Sequence, residues 1–282
     1  MPKTKLILCA FLGVLAVVTL MPRASVAGPH DLVVAQPGGP VDSDEAQQNV
    51  GNLLKLIATA AGWAPESATS KYFNNVAKAL KHITSKKPGF IFTTPGFYLK
   101  YRKKLALVPV NKIAINGSTQ SSYRIVVKKG TLTSLADLKG KTLAGSTLSE
   151  QQFVQKIVLE NALKLNKDVT TKAMGGLPAL KALNKGEVDA VVLNGQEYQS
   201  MPGLSFASEL ETMYTSKAIT NTGIMAIGKN TDDASIKALL KATKSFCSAG
   251  EGKDTCATFQ ITGFEPASQS DYKTLIKAWG SK

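Results

Sequence analysis

Leu180-Lys181-Ala182-Leu183-Asn184-Lys185-Gly186-Glu187-Val188-Asp189-Ala190-Val191-Val192-Leu193 decides the fold class. Apolar side chains recur at helical spacing from Pro178 to Lys185, Gly186 supplies the stop, and Val188 to Leu193 is an apolar strand. The tail of that strand does not alternate, as expected of a strand buried on both faces. Helix, glycine turn and buried strand in one short stretch predict α/β architecture.

The same alternation extends in both directions. Upstream lie a short helix at Ser134–Leu138, a strand at Gly140–Gly145, and a long helix predicted from Ser146 through Phe153, Ile157 and Leu163. Further back are strands at Leu32–Ala35, Phe90–Phe92, Leu105–Val110 and Tyr123–Val127, with helices from Asp42 or Ser43 to Ala61 and from Tyr72 to Ile83. Downstream are a strand at Gly223–Gly228 and helices at Asp233–Cys247 and Ser270–Ala278. Short strands between helices predict largely parallel sheets.

The chain has 282 residues, enough for two lobes. Its start carries Lys3 and Lys5, the apolar run Leu6–Leu20, and Ala24-Ser25-Val26-Ala27-Gly28, the order of a signal peptide with cleavage expected after Ala27. The 15-residue run falls short of the ~20 residues that span a bilayer, so no stable membrane insertion is expected after cleavage. Export leaves Cys247 and Cys256, nine positions apart, and an oxidising compartment favours their pairing over two buried thiols. The stretch between them reads as a local loop.

Lys and Arg number 34 against 20 Asp and Glu; removing Lys3, Lys5 and Arg23 leaves 31 against 20, a net +11. That excess favours anionic partners, and 7% aromatics without an Arg cluster argues against nucleic acid. Catalysis is unsupported: neither His30 nor His82 sits in a nucleophile setting, and no phosphate loop, dinucleotide fingerprint or metal-ligand spacing occurs. No enzyme activity, metal or cofactor is expected.

Three segments carry a family likeness. Tyr123–Leu143, with Ser134-Leu135-Ala136-Asp137-Leu138-Lys139-Gly140-Lys141, resembles the inter-lobe strand and following helix of type 2 periplasmic solute-binding proteins. Leu180–Ala190 is similar to their "aL--GevDa" element. The tail Ile261-Thr262-Gly263-Phe264-Glu265-Pro266-Ala267-Ser268-Gln269-Ser270-Asp271-Tyr272 resembles that of one branch, the phosphate/phosphonate-binding-like proteins of ABC transporters. The resemblance implies a two-lobed fold with two hinge-crossing strands. Lobe 1 is then expected at 28–122 and 222–282 and lobe 2 at 123–221, with hinges near Tyr123 and Asn221. It also implies a monomeric periplasmic protein that delivers a small anionic solute to an ABC transporter permease.

Candidate ligand residues follow from position and resemblance together. Ser146, Thr147 and Ser149 stand where a strand gives way to a helix start, a place that favours oxyanions, although ordinary capping uses the same residues. Thr94 and Tyr98 occupy a stretch resembling the family loop that faces the ligand. Gln36 ends the first strand, Asn194, Gln196 and Tyr198 follow the strand Val188–Leu193, and Asn221 and Thr222 stand at the second crossing. Two departures from the branch stand out: no His follows Gly175-Gly176-Leu177, and Asn221 occupies the place of a carboxylate. Both count against an aminoalkyl phosphonate, whose amine a carboxylate would meet. A periplasmic sensor, or an enzyme on the same fold, are the alternatives that fold alone leaves open.

Overall fold

The computed structural model describes residues 30–40, 43–228 and 230–281. The leader expected at 1–27 and Asp42 lie outside them. Strand β1 (Leu32–Ala35) is followed by helix α1 (Asp44–Ala61), β2 (Ser70–Phe73), α2 (Val76–Lys86), β3 (Phe90–Thr93), α3 (Pro95–Tyr101), β4 (Leu107–Pro109) and β5 (Asn111–Ala114). Next come β6 (Gln120–Ser121), β7 (Arg124–Lys128), β8 (Thr142–Gly145), α4 (Gln151–Phe153), β9 (Thr170–Ala173), α5 (Gly176–Lys185), β10 (Ala190–Leu193), α6 (Gly195–Ser200), β11 (Leu210–Thr215) and β12 (Ile219–Thr220). The chain finishes with β13 (Ile224–Ile227), α7 (Asp233–Thr243), α8 (Gly250–Thr258), β14 (Gly263–Pro266) and α9 (Lys273–Gly280).

These elements make two five-stranded sheets, ordered β2-β1-β3-β13-β4 and β11-β7-β10-β8-β9. Both are mixed, not largely parallel. In the first, β1 runs parallel to β2 and β3, and β13 is inserted antiparallel. In the second, β8 is parallel to β9 and β10, while β7 pairs antiparallel with β10. The inserted strands, β13 and β7, are the first ones laid down after the chain has changed sheets. Between the sheets the two crossings pair with each other: β6 and β12 form an antiparallel ribbon, Gln120 opposite Thr220 and Ser121 opposite Ile219.

Local chemistry explains most of the helices. Ser43 caps α1, its Oγ accepting from the Ala46 N–H at 3.2 Å, and Asp44 and Glu45 favour the positive end of the helix dipole. Val50, Leu53, Leu54 and Ile57 share its buried face, and Gly62 closes it in the left-handed conformation. Gly186 does the same for α5. Ala190 to Leu193 are all fully buried, as their unbroken apolar character requires.

Tertiary contacts overrode several sequence expectations. The helix expected from Tyr72 begins only at Val76, behind the Asn75 cap, because Ser70–Phe73 pairs with β1 and buries Tyr72 and Phe73 in different clusters. The long helix expected from Ser146 is instead a 3-10 turn (Ser146–Glu150), one α turn and a π-helical stretch (Val154–Val158). The helix expected to reach Cys247 ends at Thr243. The residues between the cysteines are not a simple loop, since α8 occupies Gly250–Thr258.

The C-terminal tail ties the molecule together at the ribbon. Strand β14 pairs with β5, Lys112 and Asp271 form a 2.7 Å ion pair, and the buried Tyr272 hydroxyl donates to the Asn221 carbonyl at 2.9 Å. Helix α9 then reaches the second lobe, where the Lys156 ammonium donates to the carbonyls of Trp279 (3.0 Å) and Ser281 (2.8 Å). One hydrophobic cluster accordingly runs through both lobes, from Val33 and Phe97 to Ile125, Leu143 and Tyr272.

Cys247 and Cys256 form a disulfide with their Cα atoms 5.5 Å apart, tying the turn after α7 to α8. Replacing both by Ser is expected to lower the unfolding free energy by about 2 to 3 kcal/mol, mainly through the freed unfolded chain. Urea unfolding measures it, and a loss near zero would show that the bridge constrains nothing.

Candidate functional site

A cavity of about 110 Å³ lies where the carboxyl ends of β1 and β3, the start of α6 and the two crossings converge. Its walls include Gln36, Thr94, Ser121, Tyr123, Asn194 and Asn221, with Phe92, Ile113 and Ile115 on the apolar side. Among the described residues no Lys or Arg lines it. Its polar groups are amides, hydroxyls and main chain, which recognise a solute by hydrogen-bond geometry.

Most of these groups are held by bonds that sequence reading did not foresee. Thr94 caps α3, its Oγ1 accepting from the Phe97 N–H at 3.3 Å. Asn194 and Glu197 form a capping box on α6: Asn194 Oδ1 accepts from the Glu197 N–H (2.9 Å), and the Glu197 carboxylate from the Asn194 N–H (3.1 Å). Neither bond uses the amide nitrogen of Asn194, which is one of the residues lining the cavity. Asn221 spends its amide hydrogens on the carbonyls of Ile113 (3.2 Å) and Ser118 (3.3 Å), so its part is chiefly to brace the crossing. Thr222 donates to the Thr93 carbonyl.

Gln36, Thr94, Asn194, Gln196, Asn221 and Thr222 thus meet at one cavity; Tyr98, Ser146, Thr147, Ser149 and Tyr198 do not line it. Tyr98 is a correction to its expected outlook on the ligand. Pro95 starts α3 so that Tyr98 points into the core, 1% exposed, its ring 4.9 Å from that of Tyr272. Ser146 and Thr147 are buried beside the cavity, and the Ser146 hydroxyl donates to Glu197 at 2.6 Å. Ser149 lies on a separate groove with Gly96, Lys100 and Glu150. The start of the 3-10 turn is therefore occupied by the protein's own contacts. Of the remaining residues after β10, Tyr198 lies under the Arg124 guanidinium, 4.1 Å from the ring centre, and Gln196 joins the cavity wall.

Two carboxylates stand behind the cavity wall, Glu150 bonded to Thr94 and Glu197 to Asn194, and sequence reasoning missed both as site groups. Burial pushes Glu197 up from its ordinary value, against the opposing bonds from Ser146 and the amides of Asn194 and Gly176. Burial also pushes Glu150 up to about 7, against a bond from Thr94 and the charge of Lys100. Burial, helped by the charges of Glu150 and Glu197, raises the Tyr123 phenol. The missed signal at Glu197 was its place three residues after Asn194, the spacing of a capping box.

The lobes touch through glycines. Gly38 has φ of +77°, and a Cβ there would stand 2.1 Å from the Ser146 carbonyl oxygen. A Cβ at Gly96 would stand 2.7 Å from the Glu150 carboxyl carbon. The Gln196 amide of α6 also donates to the Phe259 carbonyl at 2.9 Å, a bond from the second lobe to the first.

Comparison with known proteins bears on this arrangement. Residues 40–272 match the family model described as "ABC transporter, phosphonate, periplasmic substrate-binding protein". No curated protein matches the sequence. Among solved structures, a Xanthomonas citri protein bound to ATP is similar with a TM-score of 0.70 at 14% identity, covering 89% of this chain and 96% of that one. PhnD1 from Prochlorococcus marinus in complex with methylphosphonate gives 0.68 at 16%, covering 89% and 97%. A binding protein component of an ABC phosphonate transporter from Pseudomonas aeruginosa gives 0.67 at 13%, covering 88% and 85%. At such identities these structures show a shared two-lobed type 2 fold.

Gly38→Ala is expected to hold the lobes apart. Small-angle scattering should give a larger radius of gyration than for the unchanged protein, while the unfolding free energy falls by no more than about 1 to 2 kcal/mol, the cost of a left-handed alanine. An unchanged profile would show that the loop and the 3-10 turn do not meet in solution.

The Glu150 proton carries a pH signature. Because burial raises this carboxyl from 4.5 to about 7, the folded protein keeps a proton that the unfolded chain has released, and stability falls as pH rises through that window. Glu150→Gln should flatten part of the decline between about pH 5 and about pH 8. Identical pH profiles for the two proteins would refute the buried-proton account.

Proposed function

Because the chain belongs to the family of periplasmic substrate-binding proteins of phosphonate ABC transporters, we propose that it captures a small phosphorus oxyanion between its lobes and presents the closed form to a permease. The family is one of transport components, and the chain is a binding protein rather than an enzyme. Among the described residues no helix is long and apolar enough to cross a membrane. In this reading the leader is removed after Ala27, the mature protein acts as a monomer, and its lobes divide at the expected positions, 28–122 with 222–282 and 123–221.

The observation that carries the reading is the small polar cavity, without cationic side chains, at the junction of both lobes and both crossings. Gln36 from one lobe and Asn194 from the other supply neutral amide donors, Thr94 lines the wall with its hydroxyl bonded to Glu150, and Tyr123 at the crossing supplies a phenol that burial keeps protonated. An anion held by such groups is selected by geometry rather than by bulk charge. Glu150 and Glu197 refine the electrostatics: an anion entering beside them favours their protonated forms, which cost no repulsion. The β6–β12 ribbon is short enough to flex, and a solute that contacts both lobes stabilises the closed form by its differential affinity. The permease then reads closure.

A thermal-shift screen of residues 28–282 against phosphate, phosphite, methylphosphonate, sulfate, simple carboxylates and neutral solutes tests this. At a hundredfold excess over Kd, a bound oxyanion contributes about 2.7 kcal/mol, which for a chain of this size is roughly 5 to 10 °C in Tm. Gln36→Ala, which removes one amide donor to the anion, should weaken binding about tenfold or more. A protein indifferent to every oxyanion, or one that answers neutral solutes as strongly, would sink the reading.

A further inference from the structure

The polar cavity shares one wall with a neighbour. A second cavity of about 380 Å³ adjoins it, and Gln36, Phe92, Ile113 and Gln196 line both. Its walls are mostly apolar: Val34 from β1, Val50 and Leu53 from α1, Tyr72 from β2, and Phe259 and Ile261 beyond α8. The single charged residue among its described walls is Glu45. The cavity is partly open to solvent, with the exposed Ser43, Glu45 and Thr258 among its walls, and its apolar lining suits water poorly, because each ordered water needs two to four polar partners. The Gln196–Phe259 bond ties the second lobe to this cavity, so the same contact between lobes that borders the polar chamber also borders the apolar one.

We infer that the solute is amphipathic: a compact oxyanion head sits in the polar cavity, and an apolar substituent of several carbons passes between Gln36, Phe92, Ile113 and Gln196 into the larger chamber. This rests on the proposed oxyanion reading and names its substrate class as alkyl or aryl phosphonates or the corresponding phosphate monoesters. The volumes set the division. The polar cavity is far below the roughly 300 Å³ at which ligand pockets usually begin, whereas the apolar one exceeds it. The neutral head site and the apolar chamber also fit the place of Asn221 where an amine-meeting carboxylate would stand, since an amine on the substituent would find only Glu45 at the far end.

Titration calorimetry with methyl-, butyl- and hexylphosphonate, with 1-hexanol as the headless control, tests the inference on residues 28–282. Each buried methylene is expected to tighten binding by about two- to fourfold. The heat-capacity change should become more negative along the series, a readout that needs no variant. Ala46→Phe fills the chamber from the first turn of α1, where Ala46 lines it and is only partly buried. It should bring hexylphosphonate down to the affinity of methylphosphonate and leave methylphosphonate itself unchanged, which also shows that the variant is folded. Affinity that is flat or falls with chain length, while methylphosphonate binds, overturns the inference and leaves the oxyanion reading standing. Hexanol binding as tightly as hexylphosphonate overturns the inference, and with it the oxyanion head. No binding by any phosphonate overturns the oxyanion reading, on which the inference depends.

Discussion

The β6–β12 ribbon is the constraint from which the rest of the molecule hangs. Two crossings left unpaired would let the sheets drift independently; hydrogen-bonded to each other, they allow bending and resist shear. The stitching continues past the ribbon. The Tyr123 N–H donates to Ser216 Oγ at 2.9 Å, the Ser216 N–H to the Tyr123 carbonyl at 2.9 Å, and the Asn221 N–H to the Thr119 carbonyl at 2.9 Å. Tyr272 then closes the waist from the tail. These bonds hold Ser121, Tyr123 and Asn221 in place at the cavity they border, between walls that come from each side of the ribbon.

The walls themselves follow from strand order. In each sheet the strand laid down after a crossing is antiparallel to its neighbour, and the loops at the carboxyl ends of β1, β3 and β10 come to face one another. Gln36, Thr94 and Asn194 sit in those loops. Two of the three are helix caps, so their positions are set by backbone N–H groups that have to be satisfied in any case. A site built from caps is rigid at little added cost, but it divides each side chain between structure and solute.

Glu150 and Glu197 show how burial and charge compete here. Each carboxyl accepts hydrogen bonds that favour its ionised form, and in each the loss of solvent outweighs them. The result is a polar cavity with two buried carboxyl groups beside it, both raised above the ordinary carboxylate value. Among the described residues no Lys or Arg lines the cavity, so hydrogen-bond direction and shape rather than a cationic side chain define it.

Much of the fold was readable from residue order. Gly186 after α5, Ser43 before α1 and the apolar run of β10 announce themselves, because caps and burial act within a few residues. Strands β2 and β9 did not, since Ser70–Phe73 and Thr170–Ala173 are strands only by virtue of the parallel partners that come from elsewhere in the chain. The 3-10 and π stretches after β8 were likewise hidden: the apolar period of Phe153 and Ile157 suits an α-helix, and the departure comes from packing between lobes. At the cavity, strand ends pointed to Gln36, Asn194 and Gln196, the family likeness to Thr94 and the second crossing to Asn221 and Thr222, all of which line it, but the inward turn of Tyr98 and the buried state of Glu150 depend on neighbours distant in sequence. By itself the sequence determined the capped helices α1 and α5, the buried strands β1 and β10, the pairing-competent cysteines and the family likeness, all matters of local pattern and composition. Only the tertiary structure decided which hydroxyls line the cavity and which are already spent, and that a polar cavity shares a wall with a larger, mostly apolar one, because burial and hydrogen-bond partnership are properties of neighbours that the chain order leaves far apart.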